Sequence, residues 1–391
     1  MNCYSHYDMN IFQVVDIIVL MKHNKAFKYR IYPNAEQTIL LAKTFGCVRF
    51  VYNHFLDQRI KAYEIDDKFI SYNSCANSLV SLKEEKDFLK EVDSISLQQA
   101  LRHLDVAYKN FFRDKRVGFP RFKSKKNNYF SYTTVCVNNN IKFEDGHLTL
   151  PKIKAIKVKQ HRAVPSDYVL KSVTISKTPS GKYFASILYQ FEKEIPTIES
   201  KTFLGLDFSM KELYVDSEGK SADYPRYYRN ALDKLAKESR KLSKMKKGSQ
   251  NRNKQRLKVA KLNEHVSNQR KDFLHKQSRQ IANAYDCVSV EDLNMKAMSQ
   301  CLNFGKSVSD NGWGIFTTLL EYKLAESGKQ LIKVDKFFPS SQVCSVCGSK
   351  NPIKKDLNVR HWVCPDCGAQ HDRDINASIN IKNEGMRIAF A

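Results

Sequence analysis

Apolar and polar residues alternate near the start of the chain. Phe27, Tyr29 and Ile31 fall on one side, Lys28 and Arg30 on the other, which predicts a strand over 25–32. Pro33 stops it, and Asn34 is placed to cap a helix. The period then changes. Leu41, Phe45, Val48, Tyr52 and Phe55 recur at spacings of three and four, as on one face of a helix. Leu97, Leu101, Leu104, Tyr108 and Phe111 form a second such stripe, so 35–117 reads as a helical unit that Gly118 and Pro120 end. Period two returns over 130–192, with hairpin signals at Asp145-Gly146 and Ser180-Gly181 and β-formers at Val173, Ile175 and Tyr183 to Phe191. Together with the first strand these predict a small β-barrel from 22–34 and 118–195, with the helical unit inserted into it. Glu194 to Glu199, containing Pro196, reads as a linker.

A second domain begins near Thr202. Phe203 to Phe208 is a buried-type strand carrying one acid, Leu213 to Val215 a second strand, and Glu218-Gly219 a turn. Residues 234–279 read as a helical hairpin broken near Gly248, and Cys287 to Val290 as another apolar strand. Residues 1–21 are set apart as an N-terminal extension. Their apolar stretch, Ile11 to Met21, is interrupted by Asp16 and falls short of the roughly 20 residues a membrane span needs. No basic region precedes it as in a signal peptide, and Met21 is a plausible alternative start.

Charge changes the picture more than composition does. The 391 residues, 42% hydrophobic and 27% charged, suit two or three globular domains. But 65 Lys and Arg face 41 Asp and Glu, a net charge of +24. Such self-repulsion points to a polyanionic partner, nucleic acid before a membrane surface, because the basic residues are spread through folded-looking segments. A ribosome-associated or merely very soluble protein is the bland alternative. The surplus peaks in 234–279, where 16 Lys or Arg face Glu238, Glu264 and Asp272, a net of +13. Lys246, Lys247, Arg252 and Arg256 are candidate phosphate contacts there. Residues 113–132 mix basic and aromatic side chains, among them Arg121, Phe122 and Lys123. Two readings stay open for them: cations on phosphates with rings on bases, or a solvated loop whose rings turn inward.

Two constellations carry chemistry. Cys344-x-x-Cys347, sixteen residues, then Cys364-x-x-Cys367 is the spacing of a closed four-thiolate zinc site, structural because no position stays open for substrate. Gly348 and Gly368 follow the pairs where the turns need them. The six remaining cysteines are scattered, which suits a reducing cytoplasm rather than a disulfide framework. The second constellation is sparser. Asp207, Glu291 and Asp374 lie in or beside apolar strands, where a carboxylate is costly unless paired or bound to a cation. Three converging carboxylates can hold two divalent ions for phosphodiester hydrolysis. Each acid alone has an ordinary explanation: Asp207 could satisfy backbone groups, and Glu291-Asp292 could open a helix.

The chain resembles the TnpB family, the OrfB proteins of insertion-sequence transposons, which are similar to compact type V CRISPR effectors. The resemblance rests on Arg30-Ile31-Tyr32-Pro33-Asn34, Val51-Tyr52-Asn53, Gly118-Phe119-Pro120-Arg121-Phe122, Gly205-Leu206-Asp207, Val290-Glu291-Asp292-Leu293-Asn294, Phe338-Pro339-Ser340-Ser341-Gln342, and the cysteine ribbon running into Asp372-Arg373-Asp374. It covers essentially 22–385. It implies an α/β multidomain protein. A wedge-like β-barrel with an inserted helical recognition unit (35–117) would precede an RNase H-like (RuvC) nuclease domain, 202–340 and 369–391, interrupted by a zinc ribbon at 341–368. It also implies RNA-guided cleavage of double-stranded DNA beside a short motif, with a guide RNA from the transposon end, structural Zn²⁺ and catalytic Mg²⁺. Motif by motif, Asp207, Glu291 and Asp374 become the catalytic acids, Asp374 rather than Asp372 because the family's acid precedes the x-Asn-Ala turn. Tyr72, Gln98 and Asn138 to Asn140 align with the region relatives use to read the adjacent motif, although Asn138 to Asn140 also suit a turn and Tyr72 could simply pack. Two departures stand out: Phe208-Ser209 follows Asp207 where many relatives have a Leu-Gly type turn, and the chain ends soon after Asn383-Glu384-Gly385. A nuclease-inactive RNA-guided repressor or a transposase accessory protein remains the alternative, and the expected location is the cytoplasm, at the nucleoid.

Overall fold

The computed structural model describes residues 20–391 except 115, 128–129, 197, 302–304, 306–309 and 351–358. The N-terminal extension up to residue 19, Lys115 and Tyr129 lie outside the described residues. Backbone contacts divide the chain into two units, one of residues 22–193 with 248–261, the other of 194–247 with 262–391.

The first unit is a sheet carrying a helical insertion. Its strands are β1 (Leu20–Tyr32), β2 (Phe130–Val135), β3 (Lys142–Glu144), β4 (His147–Leu150), β5 (Ile153–Lys159), β6 (Val169–Lys177) and β7 (Tyr183–Glu194). They line up as β2-β6-β7-β1-β5-β4-β3, a half-barrel whose order ends at β2 and β3 rather than closing. Asp145 and Gly146 both take positive φ, as the β3–β4 turn requires, and Gly181 does so between β6 and β7.

Helices α1 (Ala35–Asp66), α2 (Tyr72–Glu85) and α3 (Ser94–Arg113) occupy the gap between β1 and β2 in sequence. Asn34 and Gln37 form a reciprocal capping box at the start of α1. The Gln37 amide also donates to the carbonyls of Lys154 (3.2 Å) and Ala155 (3.0 Å), fixing α1 to β5. Asp93 caps α3 and accepts a 2.6 Å bond from Thr134 Oγ1 of β2. Both stripes read from the sequence are buried in one core with Tyr29, Ile31, Tyr132 and Ile175; only Phe111 stays partly exposed.

The second unit holds β8 (Phe203–Ser209), β9 (Leu213–Asp216), β10 (Cys287–Glu291) and β11 (Gln330–Val334), in the order β11-β10-β8-β9. β8 runs antiparallel to β9 and parallel to β10, which is parallel to β11. Helices α4 (Tyr227–Lys244) and α5 (Gln250–Ala284) form the predicted hairpin, turning at Gly248 with φ +87°. Residues 248–261 at the start of α5 pack with the first unit, where Arg256 Nη1 donates to the Pro179 carbonyl at 3.4 Å. α6 (Met295–Cys301), α7 (Trp313–Ala325) and α8 (Arg373–Ala389) follow. Among the described residues no helix is long and apolar enough to cross a membrane.

α8 lies directly on the sheet, and two glycines permit it. A Cβ at Gly205 would sit 2.0 Å from the Ser378 carbonyl oxygen, and one at Gly385 would sit 1.7 Å from Ser289 Oγ and 2.5 Å from Ser289 Cβ. Gly385→Ala should therefore lower stability by about 3 kcal/mol, the upper range for overpacking. Gly46→Ala, with no atom within 4 Å of the new Cβ in α1, should raise it by up to about 1 kcal/mol. Calorimetric melting of both variants checks this, and a wild-type transition in Gly385→Ala would contradict the close seating of α8.

Candidate active site and metal centre

In the parallel ladder, Val290 stands opposite Leu206. The next residues, Glu291 and Asp207, therefore occupy neighbouring positions at the carboxyl ends of β10 and β8, on one face of the sheet. Asp374 reaches the same place from α8. The Asp372 side chain caps this helix, accepting from Asp374 N (2.9 Å) and Ile375 N (3.0 Å), so Asp374 sits in the first turn. Thus of the two acids in Asp372-Arg373-Asp374, one is committed to the helix cap and the other is carried to Asp207.

The electrostatics show the crowding. Burial first, and then the charges of Glu291 and Asp374, push the Asp207 carboxyl well above the usual carboxylate range, against the Phe208 N–H and Arg373. Burial raises Glu291 too, partly offset by a short hydrogen bond from Ser340 Oγ. Asp374 already has a cation: Arg360 Nη1 lies 2.9 and 3.0 Å from its two carboxylate oxygens. The three acids share a neighbourhood without closing into a tight cluster. Among the described residues, only the four ribbon cysteines place three or more ligand atoms all within 4.8 Å of one another.

Those cysteines sit on two matching knuckles. In each, the glycine N–H donates to the carbonyl of the first cysteine, Gly348 to Cys344 and Gly368 to Cys364, at 2.9 Å. Both glycines have positive φ, +76° and +72°. Strands β12 (His361–Val363) and β13 (Gln370–Asp372) pair antiparallel behind the second knuckle. Cys344 and Cys367 sulfurs are 3.7 Å apart, as are those of Cys347 and Cys364. Four sulfurs at zinc–sulfur bonds of about 2.3 Å in a tetrahedron would be roughly 3.8 Å apart, so the cluster has the dimensions to hold one zinc ion. Backbone N–H groups of Cys367 and Asp366 lower the Cys364 thiol, while burial and the neighbouring sulfurs raise that of Cys367, as for thiols sharing protons at close quarters. His371, its ring tilted against that of Trp362, places Nε2 3.1 Å from Cys344 Sγ.

The two constellations are physically joined by residues that sequence reasoning missed. Asn376 and Asn380, one helical turn apart on the buried side of α8, both donate to the Val343 carbonyl at 2.8 Å. Asn380 also donates to the Ser340 carbonyl at 2.7 Å, and Asn376 accepts from Ser345 N at 2.9 Å. The segment 340–345 therefore touches Glu291 through Ser340, grips the helix that carries Asp374, and enters the first knuckle. Two asparagines at i and i+4 among apolar helix positions were the available signal. For Arg360 there was none.

Comparison with known proteins identifies the family. A chain of Streptomyces pristinaespiralis named "Putative RNA-guided DNA endonuclease" is 38% identical over 373 residues, covering 94% of this chain and 91% of its own. The chain belongs to the TnpB (OrfB) family. Family models match in three places: "Helix-turn-helix domain" over 21–68, "Probable transposase" (OrfB of IS605) over 186–302, and "Cas12f1-like, TNB domain" over 313–381. A second TnpB relative, "Putative RNA-guided DNA endonuclease InsQ" of Escherichia coli K12, is 31% identical, with 94% of each chain covered. The solved Cas12f1–sgRNA–target DNA complex shares the fold, with a TM-score of 0.53 at 14% identity over 93% of this chain and 99% of that one.

The remaining candidates in this TnpB chain are dispersed. Lys246 and Lys247 are exposed in the α4–α5 turn, and Arg252 and Arg256 lie in the first turns of α5. Arg252 Nε is buried without a hydrogen-bond partner. Gln98 is exposed on α3. Tyr72 opens α2 and packs on the core, with the Arg102 guanidinium 4.9 Å from its ring centre. Asn138 and Asn139 adopt positive φ in a turn that Asn140 closes by accepting from Val137 N at 2.8 Å. Turn geometry by itself accounts for all three asparagines.

Proposed function

We propose that the protein is a transposon-encoded RNA-guided DNA endonuclease that cuts target DNA beside a short motif by metal-dependent phosphodiester hydrolysis. The observation that carries this is the meeting of Asp207, Glu291 and Asp374 at one end of a β11-β10-β8-β9 sheet under α8. This is the arrangement expected of an RNase H-like, RuvC-type nuclease domain, with 341–368 as its zinc ribbon. The donor set fits Mg²⁺, which takes hard carboxylate oxygens. Bound there, two such ions would activate the attacking water and stabilise the leaving 3′ oxygen. The chain's own part is to hold the acids ready: β8 and β10 fix Asp207 and Glu291 side by side, Ser340 orients Glu291, and the Asp372 cap sets Asp374. Arg360 now occupies the place of a cation on Asp374. A nuclease-inactive repressor would have no use for two acids held against the cost of burial with a third beside them, so their retention favours the enzyme.

Guide RNA from the transposon end would read the target by base pairing, and the protein would read the adjacent motif and the heteroduplex backbone, in the cytoplasm at the nucleoid. Lys246, Lys247, Arg252 and Arg256 are proposed as phosphate contacts, and Tyr72, Gln98 and Asn138 as readers of the motif. The direct test is to sequence RNA that copurifies with the protein. The complex should then cut, in Mg²⁺, a plasmid carrying the matching target beside a randomised flank. The absence of a discrete RNA, or a target left intact on every flank, would overturn the reading.

A further inference from the structure

Beside α1, in the first unit, lies a cleft of about 230 Å³. Phe45 and Phe130 line its apolar part, and Arg49, Lys123, Ser124 and Ser131 its polar part; among the described residues no acid takes part. We infer that this cleft binds one backbone phosphate of a nucleic acid, with Arg49 and Lys123 as its cations and the two serine hydroxyls as further donors.

The placement of the cations is specific. Arg49 and Asn53 are four residues apart on α1 and share a face. The Asn53 amide clasps the chain at Lys123, donating to its carbonyl at 2.9 Å and accepting from its N–H at 2.8 Å. That clasp pins the loop one helical turn from Arg49. The Lys123 ammonium lies 3.9 Å from the centre of the Tyr52 ring, which stands on the same helix. Among the described residues neither cation is paired with an acid. Arg49 has no hydrogen-bond or ion-pair partner among the described residues, whereas Lys43 on the same helix is paired with Glu91. Desolvation depresses the Lys123 pKa, and burial first, then the Lys123 charge, depress His103.

Both cations line the cleft and neither has a carboxylate partner among the described residues, so an anion bound there would gain from each of them. A guanidinium, an ammonium and two hydroxyls present donors from several directions, which suits a tetrahedral phosphate with its oxygens spread. A nucleic-acid strand is the natural source on a chain of net charge +24. For Lys123 the proposal takes the phosphate-contact reading of the 113–132 stretch. Phe119 goes the other way, its ring lying edge-on to Tyr108 and Phe111 at 5.5 and 5.4 Å.

The proposal rests on the nucleic-acid reading above, and its test separates the two. Arg49→Gln, Lys123→Ala and the double variant are compared with wild type for binding of the copurifying RNA across a salt series. A Lys43→Ala variant serves as control. Melting temperature and zinc content establish that each variant is folded. Each cleft variant should bind about 3- to 10-fold more weakly, and the slope of log affinity against log salt should fall by about one per cation removed. Lys43→Ala should leave both unchanged. If RNA affinity holds but capture of target duplex by the RNA–protein complex falls in the same way, the phosphate belongs to the DNA and the site stands. A folded double variant with wild-type affinities and slopes for both nucleic acids would overturn the cleft alone. A wild-type protein that binds neither would overturn the functional reading together with it.

Discussion

Asp207→Asn, Glu291→Gln and Asp374→Asn are each expected to slow target cleavage by at least about 10³-fold, roughly 4 kcal/mol of lost transition-state stabilisation. Each replacement keeps the side-chain shape and removes one negative ligand, so RNA and target binding should persist. Asp207→Asn should also raise the melting temperature, because the carboxylate it removes is held against burial and two like charges. Gain of stability with loss of activity is the signature of a functional rather than a structural acid. Asp372→Asn is the internal control. Its oxygen caps α8, and asparagine caps as well as aspartate, so cleavage should stay within a few-fold of wild type. Cleavage rates of the four proteins under saturating target decide the matter. Full activity in Asp374→Asn together with loss in Asp372→Asn would reverse the assignment of the third acid.

The second large effect concerns the ribbon. The purified protein should hold about one zinc ion per chain, and the Cys344→Ser/Cys364→Ser double variant should hold none. Structural zinc in small domains contributes on the order of 10 kcal/mol to their folding, so the ribbon should unfold locally without it. The loss should then reach the three acids. Asn376 and Asn380 grip 340–345 at one end of the knuckle, and Ser340 orients Glu291 from the same segment. Cleavage should drop by two orders of magnitude or more, while the first unit melts as before. Metal analysis, calorimetry and cleavage on the same preparations test this. Unchanged zinc in the double variant would remove the site, and full cleavage without zinc would show that the ribbon does not support the acids.

Much of this arrangement was legible in the chain because its signals are local. Period two and period three-to-four, read over a few residues, mark β1, α1, α3 and β8. Asn34 announces the start of α1. The paired Cys-x-x-Cys spacing, each followed by glycine, dictates two knuckles irrespective of what surrounds them. Asp207 and Glu291 were visible as charges out of place in apolar strands, whereas Asp374, in the first turn of a helix, was singled out only by the family resemblance.

What only the tertiary structure decided are joins between residues far apart in the chain. Alternation shows that a strand exists but not which neighbour it pairs with, so the barrel expected from the sequence is an open half-barrel ending at β2 and β3. Gly385 looks like a helix-weakening residue until Ser289 is found where its Cβ would be. Arg360 and Asp374 meet through the fold around the cysteines, and Arg49 and Lys123 line one cleft because Asn53 ties a loop to α1. Local sequence carries backbone preference and burial pattern. The pairing of charges and the close approach of backbones depend on distances that exist only once the sheet and helices are in place.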